Sequence, residues 1–205
     1  MNGHGSGATK LLRGLFERAV TLAYLVAYTE KTRRYMHYTA INEHKMIQAA
    51  RKLFCDEEID KVLGAGSVCT IIRQYEKYRP EFLKGKKLAR SWDIPFSEQI
   101  EDVGEPFEQY YLAGYLVPTM HVHATSTSVY SRYEPRGDDM VTREASPKEV
   151  LGTLIHAHAI FFQALELQIN LFKLPLVDEL AACHAEIPKT WNLSLETIPD
   201  AQNAR

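Results

Sequence analysis

The sequence predicts an all-α protein, an irregular bundle of five to six helices built around a long helix near the C-terminus, at about 147–172. Three observations lead to this prediction. Apolar residues recur at intervals of three and four through most of the chain, which is the period of an α-helix. No stretch shows the alternation of a β-strand, and no repeat is visible. Proline, glycine and capping residues stand where the expected helices begin and end.

The composition is that of an ordinary globular protein. Of the 205 residues, 45% are hydrophobic and 24% are charged, and the formal net charge is -2. A net charge this small gives no global attraction to nucleic acid or to an anionic membrane, although it allows a local basic patch. We expect a single helical domain over 10–191, preceded by a flexible leader (1–9) and followed by a C-terminal tail (192–205).

The cysteines and the apolar runs indicate in which cellular compartment the protein is expected. Cys55, Cys69 and Cys183 have neither disulfide-framework nor zinc-finger spacing, which favours buried thiols in a reducing environment. We expect no apolar run long enough to cross a membrane, because charged residues bound even the run 20–28. The first ten residues lack the apolar core of a signal peptide. The expectation is a cytoplasmic protein without a membrane partner.

The first helix, from about Thr9, carries two rows of side chains. Its apolar stripe consists of Leu12, Phe16, Ala19, Ala23 and Val26. In the neighbouring row, Arg13 and Glu17 stand one turn apart and can close an ion pair. An exposed pair of this kind contributes only a few tenths of a kcal/mol. Because the row continues into tyrosines, the alternative is a half-buried pair that reaches another helix.

Two further helices are expected before residue 80. The first, from about 32 to 54, is basic, and a solvated outer helix is the favoured interpretation, with a ligand-facing basic surface as the alternative. The second begins with Asp56 as its N-cap and runs to about 78, weakened by Gly64 and Gly66. It stops at Arg79-Pro80 because the residue before a proline disfavours the helical conformation.

Residues 80–96 are expected to form a loop anchored by Trp92. The loop carries four basic residues, Lys84, Lys86, Lys87 and Arg90. Basic residues beside an aromatic ring can contact single-stranded nucleic acid, which is the alternative function of this segment. A short helix then opens at about Ser97 and ends near Val103.

The next helix, from about Glu105, holds the most unusual stretch of the chain. Tyr111, Tyr115, Thr119 and His123 follow one another at intervals of four, so on a helix they share one face. Pro118 cannot donate a hydrogen bond to the carbonyl of Gly114. We therefore predict a kink there, or a stop and a restart with Pro118 in a first turn. Residues 126–146 follow as a long polar connection.

The helix at 147–172 has the clearest signals. Ser146, Pro147 and Glu149 form a helix start. The predicted core stripe consists of Leu151, Ile155, His158, Phe162, Leu165, Ile169 and Phe172. His158, on this stripe, is expected to be a hydrogen-bonded core histidine. After Leu174-Pro175, a last helix is expected over about 176–191.

Arg13, Glu17, Tyr115 and His123 are the candidate catalytic residues. A buried network of these groups has to be hydrogen-bonded almost completely, because desolvation otherwise costs several kcal/mol. Such a network either fixes helix register, or binds an anion, or transfers a proton. The His-x-His pairs have the wrong spacing for joint ligation from a continuous helix, and no metal or other cofactor is expected.

Two classes of function stay open. The first is a binding or regulatory module whose polar face holds a small anionic ligand, an RNA or a protein partner, and homodimerisation is open as well. The second is a metal-independent hydrolase or ribonuclease, with His123 as general acid and base and Arg13 steadying negative charge. No nucleophile motif or phosphate loop is visible, and Arg33 and Arg34 do not have the Arg-x(4–6)-His spacing of helical ribonucleases. This absence favours the binding module.

The order of these motifs resembles a widespread bacterial all-helical family that is known only as a domain of unknown function. The carriers are R-x-x-x-E (Arg13, Glu17), Trp92 before a short helix, Y-x-x-x-[ST]-x-x-x-H (Tyr115, Thr119, His123), and a long closing helix with Asn170 and Phe172. The similarity runs from about 10 to 191, with Thr119 where the family more often has serine. The resemblance implies an all-helical fold and this site, and it implies no activity. A likeness to helical toxin and phage-defence domains is an analogy of fold alone.

Overall fold

The computed structural model describes residues 5–122, 133–136, 139–142 and 147–196, and it is all-α, as predicted. The α-helices are α1 (Gly5–Ala27), α2 (Thr32–Ala50), α3 (Asp56–Leu63), α4 (Ser67–Tyr78), α5 (Phe96–Val103), α6 (Phe107–Tyr111), α7 (Val117–Val122), α8 (Pro147–Phe172) and α9 (Val177–Glu196). Short 3₁₀ segments cover Thr29–Lys31 and Arg79–Phe82, and a π-helical turn covers Leu112–Leu116. The long C-terminal helix lies at the predicted limits. The first helix begins at Gly5, so the predicted leader is partly helical.

Two short β-hairpins interrupt the helices, in segments where the sequence shows no strand alternation and where a loop and a polar connection were expected. Strands β1 (Leu83–Lys84) and β2 (Lys87–Leu88) pair antiparallel, as do β3 (Tyr133–Arg136) and β4 (Asp139–Thr142). Strands of two to four residues are too short to show an alternating pattern in the sequence.

The chain groups into two compact units. The first unit consists of 1–27 and 99–205, and the second of 28–98. Each unit has its own set of packed helices. The single domain expected over 10–191 stays a prediction.

In the first unit, α8 packs along α1, and α1 also contacts the π-helical turn and α7. Phe16, Val20 and Tyr24 of α1 are fully buried, as is Ile160 of α8. The hydroxyl groups of Thr9 and Thr153 hydrogen-bond across the two helices at 3.2 Å. The predicted stripe of α1 is confirmed at Leu12, Phe16, Ala19 and Ala23, which are all buried.

The predicted core stripe of α8 is wrong in its choice of face. Leu151 and Ile169 are buried, but His158 and Phe172 are exposed, and the fully buried residue is Ile160, which the stripe omits. Because α8 is apolar on most sides, several series of apolar residues at intervals of four and three can be traced along it. Packing against α1 selects the series that contains Thr153 and Ile160, two turns apart.

The apolar character of α8 also corrects the expectation about membrane-length runs. Residues Val150–Phe172 form a helix that is long and apolar enough to cross a membrane, with a mean hydropathy of 1.4 and 17% of the window buried. Its one charged residue is Glu166. The core helix of a folded protein meets the same length and composition criteria.

The three cysteines are exposed, although the sequence favoured buried thiols. Cys55 is the N-cap of α3, a position at which Asp56 was expected. The backbone N–H of Cys55 donates to the Glu58 carboxylate at 2.9 Å, which is half of a capping box.

In the second unit, α2 packs against α4. Trp92 is 9% exposed, Tyr35 meets its ring edge-on at 5.0 Å, and Arg34 Nε donates to the Trp92 carbonyl oxygen at 2.7 Å. The expected anchoring role of Trp92 is confirmed. A buried indole cannot stack on a base, so the nucleic-acid alternative for 80–96 loses its aromatic contact.

The helix predicted over 56–78 is divided into α3 and α4 at two glycines with positive φ, Gly64 (φ 106) and Gly66 (φ 76). Asp60 of α3 closes the break. Its Oδ1 accepts from the Val68 N–H at 2.9 Å, and its Oδ2 accepts from the Gly66 N–H at 3.1 Å. These bonds satisfy backbone donors at the start of α4.

Asp60→Ala is expected to lower the free energy of unfolding by about 1 kcal/mol, within the roughly 0.5–2 kcal/mol of a lost helix cap. Chemical denaturation followed by circular dichroism measures the loss. Glu43→Ala is the control, because Glu43 is exposed on α2 and such surface changes stay within about 0.5 kcal/mol. Equal midpoints for the two variants would contradict the capping role.

Candidate functional site

The predicted pair on α1 is formed. Arg13 Nε donates to Glu17 Oε1 at 2.9 Å, and the side chains are 21% and 40% exposed, respectively. The Glu17 carbonyl oxygen also accepts from the Thr21 hydroxyl at 2.7 Å. The pair is therefore half-buried and open to solvent on one side.

Facing α1, the predicted interruption before Pro118 is confirmed, and it takes the form of a π-helical turn. The Val117 N–H donates to the Leu112 carbonyl oxygen, five residues back, where an α-helix would reach back four. Pro118, which follows at once and is fully buried, has no N–H to donate. The α-helix resumes at Val117, so Pro118 lies in the first turn of α7.

The π-helical turn approaches α1 closely at Gly114. A Cβ added to Gly114 would lie 2.8 Å from Phe16 Cδ2 and 2.9 Å from Phe16 Cγ. Real Cβ atoms essentially never lie this close to another heavy atom. In the sequence, Gly114 was singled out because its carbonyl receives no hydrogen bond from Pro118. The structure adds a second reason, because the space beside its Cα admits only a hydrogen atom.

This close approach brings Tyr115 to the pair on α1. The Arg13 guanidinium carbon lies 5.0 Å from the centre of the Tyr115 ring, within the range of a cation–π contact. Tyr111 stacks on Tyr115, with ring centres 5.6 Å apart and planes inclined by 15°. We call Arg13, Glu17, Tyr111 and Tyr115 the Arg13 cluster.

Three of the four predicted site residues, Arg13, Glu17 and Tyr115, are thus brought together. His123 lies outside the described residues. Thr119 donates its hydroxyl to the Tyr115 carbonyl oxygen within its own helix. His158, which was expected to be a core histidine, is exposed on α8.

Two contacts hold the guanidinium of Arg13 in its orientation. Glu17 takes the Nε–H and the Tyr115 ring lies against one face, while Nη1 and Nη2 make no hydrogen bond to any residue that the structure describes. Arginine presents these N–H groups as a fixed fork that matches carboxylate and phosphate oxygens. The cluster can therefore receive a small anion at the edge of the guanidinium.

A second polar arrangement lies in the second unit, and the sequence interpretation did not identify it. His37 stacks on Tyr78 at 3.8 Å, and His44 stacks on Tyr75 at 3.6 Å. His37 Nδ1 also contacts both carboxylate oxygens of Glu81 at 2.9 Å. The one signal in the sequence is the spacing of seven between the histidines, which places them on one helix face.

Burial lowers the pKa of His44, and the Arg51 and Arg79 charges act in the same direction against the Glu76 carboxylate. His44 is therefore neutral at neutral pH, which suits its stacking on Tyr75. These contacts join α2 to α4, and we assign them to the packing of the second unit.

Two grooves of the first unit lie away from the Arg13 cluster. One, of about 430 Å³, runs between α8 and α9, and the other, of about 360 Å³, lies beside Pro106 and Phe107. Within the described part of the chain, no group of three or more His, Cys, Asp and Glu side chains is placed to hold a metal ion.

Comparison with known proteins identifies a family and no relative of known function. No curated protein and no solved structure matches the chain. A family described as "Family of unknown function (DUF5677)" matches residues 1–140 of the 205. The match includes the Arg13 cluster and ends before α8. The chain belongs to this family of unknown function, DUF5677.

Proposed function

We propose that this chain is a cytoplasmic binding or regulatory module whose Arg13 cluster holds a small anionic ligand. The observation that supports the proposal is the state of Arg13: its Nε–H and one face of its guanidinium are engaged, and its Nη groups make no hydrogen bond within the described part of the chain. Three exposed free thiols fit a reducing compartment.

The exposures of the pair favour a ligand site over a structural tie. A network that only fixes helix register is expected to be dry and closed, because each buried charge then needs a protein partner. Here Glu17 is 40% exposed and Arg13 is 21% exposed. A half-open guanidinium held in one orientation loses little conformational entropy when an anion binds.

The grooves of the described residues bear on the size of the ligand. A drug-sized ligand requires a cleft of roughly 300–1,000 Å³, and the described grooves of about 430 and 360 Å³ are lined by residues of α8 and α9 and by residues beside Pro106, not by Arg13. We propose that the ligand presents a carboxylate or phosphate group to Arg13 and leaves most of its surface in solvent. A metal-independent hydrolase using His123 with Arg13 stays a prediction, because its proposed acid–base group is outside the described residues.

Inorganic phosphate is the simplest probe of the site. Phosphate at a hundred times its dissociation constant should stabilise the protein by about 2.7 kcal/mol, which thermal unfolding detects as a rise in Tm. Arg13→Gln should abolish the rise. The variant without phosphate should stay within about 1 kcal/mol of the parent protein, because an i,i+4 pair that is open to solvent on one side contributes little.

Arg18→Gln is the matched control, since Arg18 is exposed on the same helix and is not part of the cluster. It removes the same charge and should retain the phosphate response. Two results would contradict the proposal. One is that the Tm of the parent protein does not rise when phosphate or acetate is added. The other is that Arg13→Gln and Arg18→Gln lose the phosphate-induced rise in Tm to the same extent.

A further inference from the structure

A hairpin in the second unit carries a concentrated positive charge. Strands β1 and β2 are joined by a two-residue turn, Gly85-Lys86, and Gly85 has a φ of 64°, a conformation that glycine adopts without strain. Lys84, Lys86 and Lys87 are exposed on this hairpin, and Arg90 is exposed two residues after it. We call these four residues the basic hairpin.

The charges of the basic hairpin repel one another. Lys84 and Lys87 are paired directly across the two strands, so their Cβ atoms lie about 4.5–5.5 Å apart on one face of the hairpin. Like charges in this position destabilise a strand pair. The second unit does not offset them through its net charge, since residues 28–98 contain 14 Lys and Arg residues and 10 Asp and Glu residues, a formal charge of +4.

No carboxylate among the described residues forms an ion pair with the basic hairpin. The ion pairs described in the second unit engage Lys31, His37 and Arg51. The acidic residues that flank the hairpin in the chain are engaged elsewhere, Glu81 by His37 and Asp93 by Lys31. The four cations therefore present their charge to solvent without a described counter-charge.

The base of the hairpin is anchored in the second unit. Phe82 and Ala89, which flank the two strands, are 1% and 7% exposed, and the Ala89 N–H donates to the Phe82 carbonyl oxygen at 2.8 Å. The Tyr38 hydroxyl on α2 donates to the Arg90 carbonyl oxygen at 2.8 Å. Lys45 Nζ donates to the same hydroxyl at 3.2 Å, which places a fifth cation beside the base. The backbone of the hairpin is thus already ordered before a ligand binds, which lowers the cost of binding.

We propose that the basic hairpin binds the phosphate backbone of a nucleic-acid duplex. A DNA duplex carries one negative charge per about 1.7 Å of its axis, so neighbouring cations can each meet a phosphate. Single strands are held largely by stacking on aromatic rings, whereas the rings at the base of the hairpin, Tyr38, Phe82 and Trp92, are buried. Charge without stacking favours a duplex, and contacts with phosphates carry no sequence preference.

The fluorescence anisotropy of labelled DNA and RNA duplexes of one sequence measures the binding. At physiological salt the dissociation constant should lie in the range of non-specific binding, ~10⁻⁴–10⁻⁶ M. About four phosphate contacts should make the logarithm of the binding constant fall with the logarithm of salt concentration, with a slope of roughly −3 to −4. Binding of either duplex supports the proposal, and the tighter one identifies the source of the phosphates. A parent protein that binds neither duplex, or binds independently of salt, would overturn it.

The combined variant Lys84→Gln, Lys86→Gln and Lys87→Gln should weaken duplex binding at least about tenfold at low salt. It should also make the salt slope shallower by roughly 2–3, because each lost phosphate contact removes about one unit. The variant should be no less stable than the parent protein, since it removes the repulsion between Lys84 and Lys87. It should keep the rise in Tm that phosphate produces at the Arg13 cluster, which separates the two sites.

The matched control combines Lys52→Gln, Lys61→Gln and Arg73→Gln, since these exposed cations of the second unit are outside the hairpin. It removes the same charge and should retain duplex binding. An equal loss in both combined variants would overturn the proposal, because binding would then follow net charge. Tighter binding to poly-glutamate or to phosphatidylglycerol vesicles than to the duplexes would also overturn it. Those results would assign the basic hairpin to an acidic protein or to a membrane.

Discussion

Ile160→Ala is expected to lower the free energy of unfolding by about 2–5 kcal/mol, the range for a cavity left by a large aliphatic side chain. Ile160 is 0% exposed, and it lies on the side of α8 that packs against α1. The fully buried side chains of Phe16 and Val20 on α1 leave that core little room to collapse. Urea unfolding measures the loss.

Leu165→Ala provides the comparison, because Leu165 is on the stripe that the sequence predicted as core. In the structure Leu165 is half-buried, so its truncation should cost roughly half as much or less. A larger loss at Leu165 than at Ile160 would restore the predicted stripe and contradict the packing of α8.

Gly114→Ala should destabilise the protein by about 1–3 kcal/mol, as overpacking does in a filled core. The added methyl group would lie 2.8 Å from Phe16 Cδ2, and Phe16 is fully buried. Either the ring leaves its position or α1 moves away from the π-helical turn. Both changes also disturb the contact between Arg13 and Tyr115.

Gly14→Ala is the matched control, with the opposite sign expected. Gly14 is inside α1, and a Cβ there would have no heavy atom within 4 Å. Alanine in a helix interior is more stable than glycine by about 0.5–1 kcal/mol. Thermal unfolding should therefore move Tm down for Gly114→Ala and up for Gly14→Ala. Shifts of the same sign would show that the close approach at Gly114 is not limiting.

The limits of the helices could be predicted where local signals decide them. Pro147 and the Leu174-Pro175 step fix the ends of α8, because proline acts through its own backbone. The stripe of α1 was also readable, since one side of α1 is much more apolar than the other. The core face of α8 was not, because its apolar residues are distributed around the helix and tertiary packing decides which of them are buried.

The same distinction holds for the candidate site. The Arg13–Glu17 pair follows from a spacing of four within one helix. The contact of Tyr115 with Arg13 depends on the π-helical turn. The one feature of the sequence that indicated an irregular turn at this position was Pro118. The stacking of His37 and His44 depends on the packing of α2 against α4, which no local pattern records.

The packing of α1 against α8 also determines when α1 can be buried during translation. Thr9 and Thr153, which hydrogen-bond across these helices, are 144 residues apart in the chain. At ~5–20 residues per second, a ribosome needs roughly 7–30 s to cover that distance. The residues of the second unit, 28–98, contact one another and emerge within that interval. We therefore expect the side of nascent α1 that packs against α8 to stay uncovered during this time, and this delay makes it a natural substrate for chaperones until α8 leaves the exit tunnel.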